Sequence, residues 1–450
     1  MIWTSLDTWI VIAAMLAGVA CALVGSFLVL KKMSMMGDAI SHAVLPGIAI
    51  AFILTGSKSG LEMFIGAAVI GVFTAVLIQV VQHFGRLEHG ASMGVVFTVM
   101  FAVGLILIEQ AAHHVDIHPE HVLFGAVELV PLHRTSFAGV ELPRGVWVLG
   151  VVSLVNLGAV LVFFKELRLA CFDPGLADAL GIGAQRMHYL IMVLVALTTV
   201  AAFEVVGSIL VIAMLIVPGA VAHLLTKRLV SFLVVAVGTA AAAALLGHVA
   251  VITIPPLFGF EDTGTAAGMT VVLGALFFSA LLLAPENGLL ARALTVFRQR
   301  LAVARQDVLG LLWRSEEKRT QPGVQLAPNV ELSRGDGLSR GDLHSVHASP
   351  FVESPLMLRL ALMSLMLSGH LRRSAGRYRL TSRGYEAAQT VLRSHRLWER
   401  FFFEEAGAVT TELHPAADYL EHYTDVELQE ALANEYAEKG TDPHGNKIPD

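Results

Sequence analysis

Charge is what this chain has least of. Only 15% of its 450 residues are Asp, Glu, Lys or Arg, against 55% hydrophobic and a mean hydropathy of +0.68. A soluble protein carries roughly 25% charged and 45–50% apolar residues, so an all-soluble chain is excluded, as are disordered and collagen-like classes. Cysteine is almost missing. The two present, Cys21 and Cys171, sit in or beside apolar stretches, which excludes a disulfide framework and a cysteine-rich metal site. No G-x-x-x-x-G-K-[ST] loop occurs, so any ATP hydrolysis coupled to this chain is expected from a separate one, with no nucleotide bound here. Basic residues are missing before the first apolar run, which therefore reads as a span and not as a cleaved signal peptide. A net charge of -6 does not suggest a strongly basic nucleic-acid binder.

The scarcity of charge is uneven. Residues 1–300 hold 30 of the 68 charged residues and residues 301–450 hold 38, so a membrane-like part precedes one of ordinary soluble composition. Apolar runs near the roughly 20 residues needed to cross a bilayer lie at 8–30, 39–57, 61–83, 91–112, 146–164, 187–203, 205–225, 229–254 and 267–284. The stretch 187–225 reads as two short spans or one broken span, giving eight or nine in all. Lys31 and Lys32, Arg86, Lys165 and Arg168, Lys227 and Arg228, and Arg292, Arg298 and Arg300 mark every second loop as basic. Nine spans with an outside N-terminus satisfy that pattern and put residues 301–450 in the cytoplasm. Gly25, Gly47, Gly66, Gly71, Gly104, Gly207 and Gly219 suit close helix packing in lipid.

Polar residues inside the spans say more. Asp38 and His42 are four apart, which puts a carboxylate and an imidazole on one helical face. Ionisable groups in a span are costly and usually face a partner or a pathway. Such a pair suits Mn, Fe or Zn, and it equally suits an internal hydrogen bond that fixes a helix end. Pro46-Gly47 is expected to break the helix soon afterwards, as transporter sites often require. Glu204 and His223 stand near span ends, where water is close, and read as structural. The 113–133 loop carries His113, His114, His118, His121 and His133 with Asp116 and Glu120. By the topology it faces outside, either collecting divalent cations or merely solvated.

Gly37-Asp-Ala-Ile-Ser-His-Ala-Val-Leu-Pro-Gly47 and Val206-Gly-Ser-Ile-Leu-Val-Ile-Ala-Met-Leu-Ile-Val-Pro-Gly219 resemble the signatures of permeases of the manganese/zinc/iron ABC transporter family, over roughly residues 5–290. The resemblance implies an all-α polytopic protein of a bacterial inner (plasma) membrane, paired with a second permease subunit. It also implies a cytoplasmic ABC ATPase and an extracytoplasmic metal-binding protein as partners. It places Asp38 and His42 on the metal path. The segment Phe172-Asp-Pro-Gly-Leu-Ala-Asp-Ala-Leu-Gly181 is similar to the family's ATPase-coupling segment, which assigns that role to Asp173, Ala177 and Gly181.

Beyond the spans, residues 291–305 read as a basic amphipathic connector that meets membrane lipid. Residues 306–318 have helical spacing. Residues 319–350 read as a flexible insertion, with Leu-Ser-Arg-Gly-Asp at both 332–336 and 338–342. An apolar helix at 354–367 and a basic hairpin from Arg372 to Leu380 suggest a degenerate winged-helix domain over 306–390, followed by a helical dimerisation domain over 391–450. Asp418, Glu421 and His422 fall near one helical face, and His395 and Glu399 are four apart, giving oxygen and nitrogen ligands that suit Mn(II) or Fe(II).

Leu380-Thr-Ser-Arg-Gly384, Ser394-His-Arg-Leu-Trp-Glu399, Leu413-His-Pro-Ala-Ala-Asp-Tyr-Leu-Glu-His422 and Asp442-Pro-His-Gly-Asn-Lys-Ile-Pro449 resemble the diphtheria toxin repressor/manganese repressor family over about 306–450. That resemblance makes His395, Asp418, Glu421 and His422 ligands of a regulatory metal, and Glu399 and His414 members of a second site. A carboxylate at Asp418, where iron-type members place a Cys, leans toward manganese over iron or zinc. Two departures follow. The family's first-helix ligands fall at Gln306 and Leu309 here, which leaves the site incomplete. The 354–367 helix offers only Ser354, Arg359 and Ser364 as polar groups, too few for major-groove readout, although Arg372, Arg373, Arg377 and Arg379 suit phosphate contacts. The expected function is import of divalent metal, damped by a metal-sensing domain. The alternative is a membrane-tethered or released metal-dependent repressor. Neither is an enzyme, and no paired nucleophile and base lies within the spans.

Overall fold

In the computed structural model, hydropathy and helix formation coincide along the first two-thirds of the chain. The structure describes residues 3–55, 60–112, 127–137, 140–259, 264–320, 338–339, 354–407, 413–436 and 440–449. They form two units, Met1–Ala291 and Arg292–Asp450. In the first, nine helices among the described residues are long and apolar enough to cross a membrane: Ser5–Leu30, Met36–Thr55, Glu62–Gln82, Gly90–Glu109, Arg144–Val162, Ala184–Val206, Ser208–Leu225, Leu229–Phe258 and Thr265–Leu283.

Ser5–Leu30 is the central helix, buried along most of its length. Its start is fixed by a capping box: Asp7 Oδ2 accepts from the Thr4 backbone N–H at 2.8 Å, and the Asp7 N–H donates back to Thr4 Oγ1 at 3.4 Å. Packing is close enough to need glycine. A Cβ on Gly47 would lie 2.4 Å from the Gly66 carbonyl oxygen, and one on Gly66 2.5 Å from the Gly47 oxygen. Buried amides are satisfied across helices, with Asn156 Nδ2 donating to Thr198 Oγ1 at 2.7 Å and to the Ala20 carbonyl at 3.2 Å.

The second span is two helices, Met36–Ala43 and Leu45–Thr55, which meet at Val44. Pro46 has no N–H to give back to His42, and its ring crowds that carbonyl. The chain re-forms its ladder from the next residue, where the Gly47 N–H donates to the Val44 carbonyl at 2.9 Å. The break therefore precedes Pro46-Gly47. The stretch 187–225 is two helices, divided at Gly207, whose φ of 78° suits a residue without Cβ.

In the second unit the expected connector and the helix after it are one element, Leu289–Thr320. Its first turns are exposed, burial begins at Val303, and Val308, Leu309, Leu311 and Leu312 turn into a core. That core also takes Leu358, Leu362 and Leu365 of the helix Pro355–Leu367, and Leu371 and Tyr378 of a hairpin. The hairpin joins Leu371–Ser374 to Arg377–Leu380 through Ala375 and Gly376, whose φ values of 50° and 78° give the tight turn that twisted strands favour. The expected insertion at 319–350 contributes an edge strand: Leu338–Ser339 pairs antiparallel with Arg377 and Tyr378, and Leu338 is buried. Buried leucine beside an available strand edge overrides the turn-rich composition there. Residues 319 and 320 end the helix Leu289–Thr320, and 321–337 and 340–350 lie outside the described residues. Thr381 caps the long helix Ser382–Glu404, which is followed by Leu413–Leu420, a short 3-10 turn at Glu421–Tyr423 and the helix Val426–Tyr436.

Candidate metal centres

In the membrane unit, the helix Met36–Ala43 brings His42 Nε2 to 3.3 Å from Asp38 Oδ1, each side chain about one-third exposed. The His42 ring lies between Phe97 and Phe101, both with centroids 5.9 Å away. The pair has one carboxylate and one imidazole to offer a cation, and among the described residues no third ligand side chain converges with them. Glu204 pairs with Arg144 at 3.3 Å, and His223 is exposed in the last turn of its helix. His133 Nδ1 lies 3.2 Å from the Leu129 carbonyl, while His113, Asp116 and the other members of that loop up to His121 lie outside the described residues.

The segment similar to a coupling element is a short helix, Pro174–Ala179, built from within. Asp173 caps it by accepting from the Leu176 N–H at 2.9 Å, and Gly181 turns the chain with φ 78°. Ala177 is fully buried against Ala170 and Ala184. The surface is formed instead by Phe172, Leu176 and Leu180.

In the second unit, His395 and Glu399 project from one helix, Asp418 and His414 from the next, and Glu421 and His422 from the 3-10 turn that ends it. The sequence brings all six together. His395 Nδ1 is 2.7 Å from Glu421 Oε2 and 3.2 Å from Asp418 Oδ1, and its Nε2 is 3.1 Å from Glu399 Oε1. His414 Nδ1 lies 2.5 Å from the same Glu399 oxygen. Three overlapping groups have ligand atoms within 4.8 Å of one another: His395–Glu399–His414, His395–Asp418–Glu421 and Asp307–Glu421–His422. His422 and His395 thus fall in different groups, which Glu421 joins.

Asp307 corrects the expectation of an incomplete first-helix contribution. Leu309 is buried in the core, and the carboxylate one residue after Gln306 reaches His422 Nε2 at 3.0 Å. Gln306 Oε1 holds the other ring nitrogen, His422 Nδ1, at 2.7 Å. His444 was missed as well. Its ring stacks on His414 at 4.7 Å and 7°, and its buried Nε2, without a hydrogen bond among the described residues, is 3.8 Å from Glu399. The turn that carries it is tied down by Asp442, which accepts from the His444 and Asn446 N–H groups at 2.9 and 2.8 Å.

The cluster is strongly charged. Burial and the Arg314 guanidinium push the His395 imidazole down, but Glu421 and Glu399 outweigh them and raise it to about 9. Against their burial, His395 and His414 hold the Glu399 carboxyl well below the usual range, and His395 and Arg314 lower that of Glu421. Burial opposes a charged His422, and Asp307 and Glu421 raise it. Ionised oxygens and imidazoles, with no thiolate among them, suit Mn(II), Fe(II) or Zn(II), and such an ion binds by taking the place of protons on the imidazoles.

The hairpin places Arg372, Arg373 and Arg379 at the surface, with Arg377 half-buried and Arg373 5.7 Å from the Tyr378 ring. The exposed face of Pro355–Leu367 carries Leu356, Met363 and Leu367 beside Arg359.

The sequence profile of the ABC 3 transport family matches residues 6–284. The chain belongs to that family. As a member, it is a multi-pass membrane protein and a transport subunit rather than an enzyme. A second profile, of the iron dependent repressor metal binding and dimerisation domain, matches residues 381–450. The chain is 42% identical over 291 residues to the manganese transport system membrane protein MntD of Bacillus subtilis, covering 64% of this chain and 96% of that one. It is 37% identical over 287 residues to the zinc transport system membrane protein TroD of Treponema pallidum, covering 64% and 76%. Among solved structures, PsaBC from Streptococcus pneumoniae in complex with Fab superposes with a TM-score of 0.52 at 32% identity, covering 63% of this chain and 94% of that one.

Proposed function

We propose that this chain is the permease subunit of an ABC importer of divalent metal ions, manganese foremost, and that its second unit binds the same class of ion and damps transport. The observation that carries this reading is the joining, in one chain, of an ABC 3 transport unit with three overlapping oxygen-and-nitrogen ligand groups. Asp38 and His42 contact the ion in transit, and the helix break beside them leaves backbone free to re-form around it. A separate cytoplasmic ATPase docks on Phe172, Leu176 and Leu180 and drives the change of access. An extracytoplasmic binding protein delivers the ion, and a second permease subunit completes the path. The second unit is cytoplasmic. The exposed start of its first helix, with Arg292, Arg298 and Arg300, meets anionic lipid. His395, Asp418, Glu421, His422 and Asp307 hold the sensed ion, and His395, Glu399, His414 and His444 offer a second position.

The hairpin arginines favour a second reading, a tethered repressor in which Arg372, Arg373, Arg377 and Arg379 touch DNA phosphates. The apolar exposed face of Pro355–Leu367 weighs against it, because base edges need donors and acceptors. An operator footprint with the whole protein would restore it. For the transport reading, radioactive manganese uptake is the test. Asp38→Ala and His42→Ala are each expected to lower uptake about tenfold or more, and wild-type uptake in both would remove these residues from the path.

A further inference from the structure

One permanent cation stands among the ligands. Arg314 lies on the same helix as Asp307, and its Nη2 is 3.6 Å from Asp418 Oδ1 and 4.0 Å from Glu421 Oε2. Those two carboxylates are the ones His395 Nδ1 approaches, so the guanidinium borders the group His395–Asp418–Glu421 directly. Arg314 feels the attraction of Asp307 and Glu399 as well, but only Asp418 and Glu421 stand within 4.0 Å of it among the described residues. A guanidinium has donors only and cannot ligate a metal. Neither of its contacts is a hydrogen-bond distance, so charge holds it and not a two-pronged fork. Its side chain keeps 24% exposure, which leaves a way out to solvent.

We propose that Arg314 is an internal competitor of the metal: its guanidinium neutralises Asp418 and Glu421 until a divalent cation enters the His395–Asp418–Glu421 group and displaces it toward solvent. A divalent ion and a guanidinium cannot share two carboxylates inside a protein without strong repulsion. Removing the arginine would take away the permanent counter-charge beside those carboxylates, which favours the ion further. The arginine therefore raises the ion concentration at which this group fills, and the response of the unit begins at that threshold. This inference rests on the reading that the second unit binds divalent metal.

The test is calorimetric titration of the full chain in detergent with Mn(II), each protein carrying Asp38→Ala to remove the transport-path pair. Arg314→Met, which keeps length and loses charge, is expected to bind about tenfold tighter or more, and Arg314→Lys to stay near the parent. In parallel, phenylglyoxal labelling of the natural chain, read by peptide mass spectrometry, is expected to reach Arg314 several-fold faster at saturating Mn(II). Equal affinity of the Met variant and the parent, or labelling indifferent to Mn(II), overturns the role of Arg314 alone. No Mn(II) binding by any of the three proteins overturns the metal reading beneath it.

Discussion

Glu421 links the groups of the second unit: like His395, it belongs to two of the three that could hold a metal. One carboxylate oxygen faces His395 at 2.7 Å and the other faces His422 at 3.7 Å. Its neighbours divide the labour: Asp307 offers an oxygen to the His422 side, while Gln306 orients the same ring from its other nitrogen. Asp307→Asn is expected to weaken Mn(II) binding about tenfold or more, and Gln306→Ala to weaken it less, since an orienting partner is lost and a ligand is kept. Titration of both variants ranks them. An unchanged Asp307→Asn with a crippled Gln306→Ala would return the ligand role to the position first expected. His395, Glu399, His414, Asp418, Glu421 and His422 were legible from spacing and resemblance. Asp307 was not, because a single carboxylate beside a glutamine carries no periodic mark. His444 sat in a recognised motif with nothing in the sequence to say that its turn folds back onto His414.

At the scale of elements, backbone approach decides the membrane unit. The helices Leu45–Thr55 and Gly60–Gly85 cross where Gly47 and Gly66 face each other, and no side chain fits between them. Gly66→Leu drives atoms into the Gly47 carbonyl and Ala51, a strain of roughly 1–3 kcal/mol or more for overpacking a tight contact. The expected result is a lower melting temperature in detergent, followed by size-exclusion chromatography of heated samples. Gly94→Leu serves as the control, because a Cβ there meets nothing within 4 Å and the melting temperature should hold. The same scale explains the altered boundary of the second span. Composition pointed to Pro46-Gly47, yet a proline disturbs the turn before it, so the helix ends at Ala43.

For the whole molecule, the division at Ala291 separates two sets of contacts, each with its own core. Family membership attaches to the first and the repressor-type profile to the second. A chain ending after Ala291 is therefore expected to keep manganese uptake and to lose its damping in cells preloaded with manganese. Uptake time courses with and without preloading check this. Loss of all uptake by a well-folded truncated protein would show that the second unit is needed for transport itself.

The sequence by itself determined the division of the chain, its eight or nine spans and most of the side chains that the second unit gathers. Span and amphipathic patterns are local, and the first arises because lipid admits only long apolar helices that satisfy their own backbone. Tertiary structure alone decided that Leu338–Ser339 joins a sheet, that Ala177 is interior and that Arg314 stands beside Asp418 and Glu421. Each of these depends on which distant segment lies alongside, through strand pairing, close packing or convergence of charge, and sequence spacing records none of them.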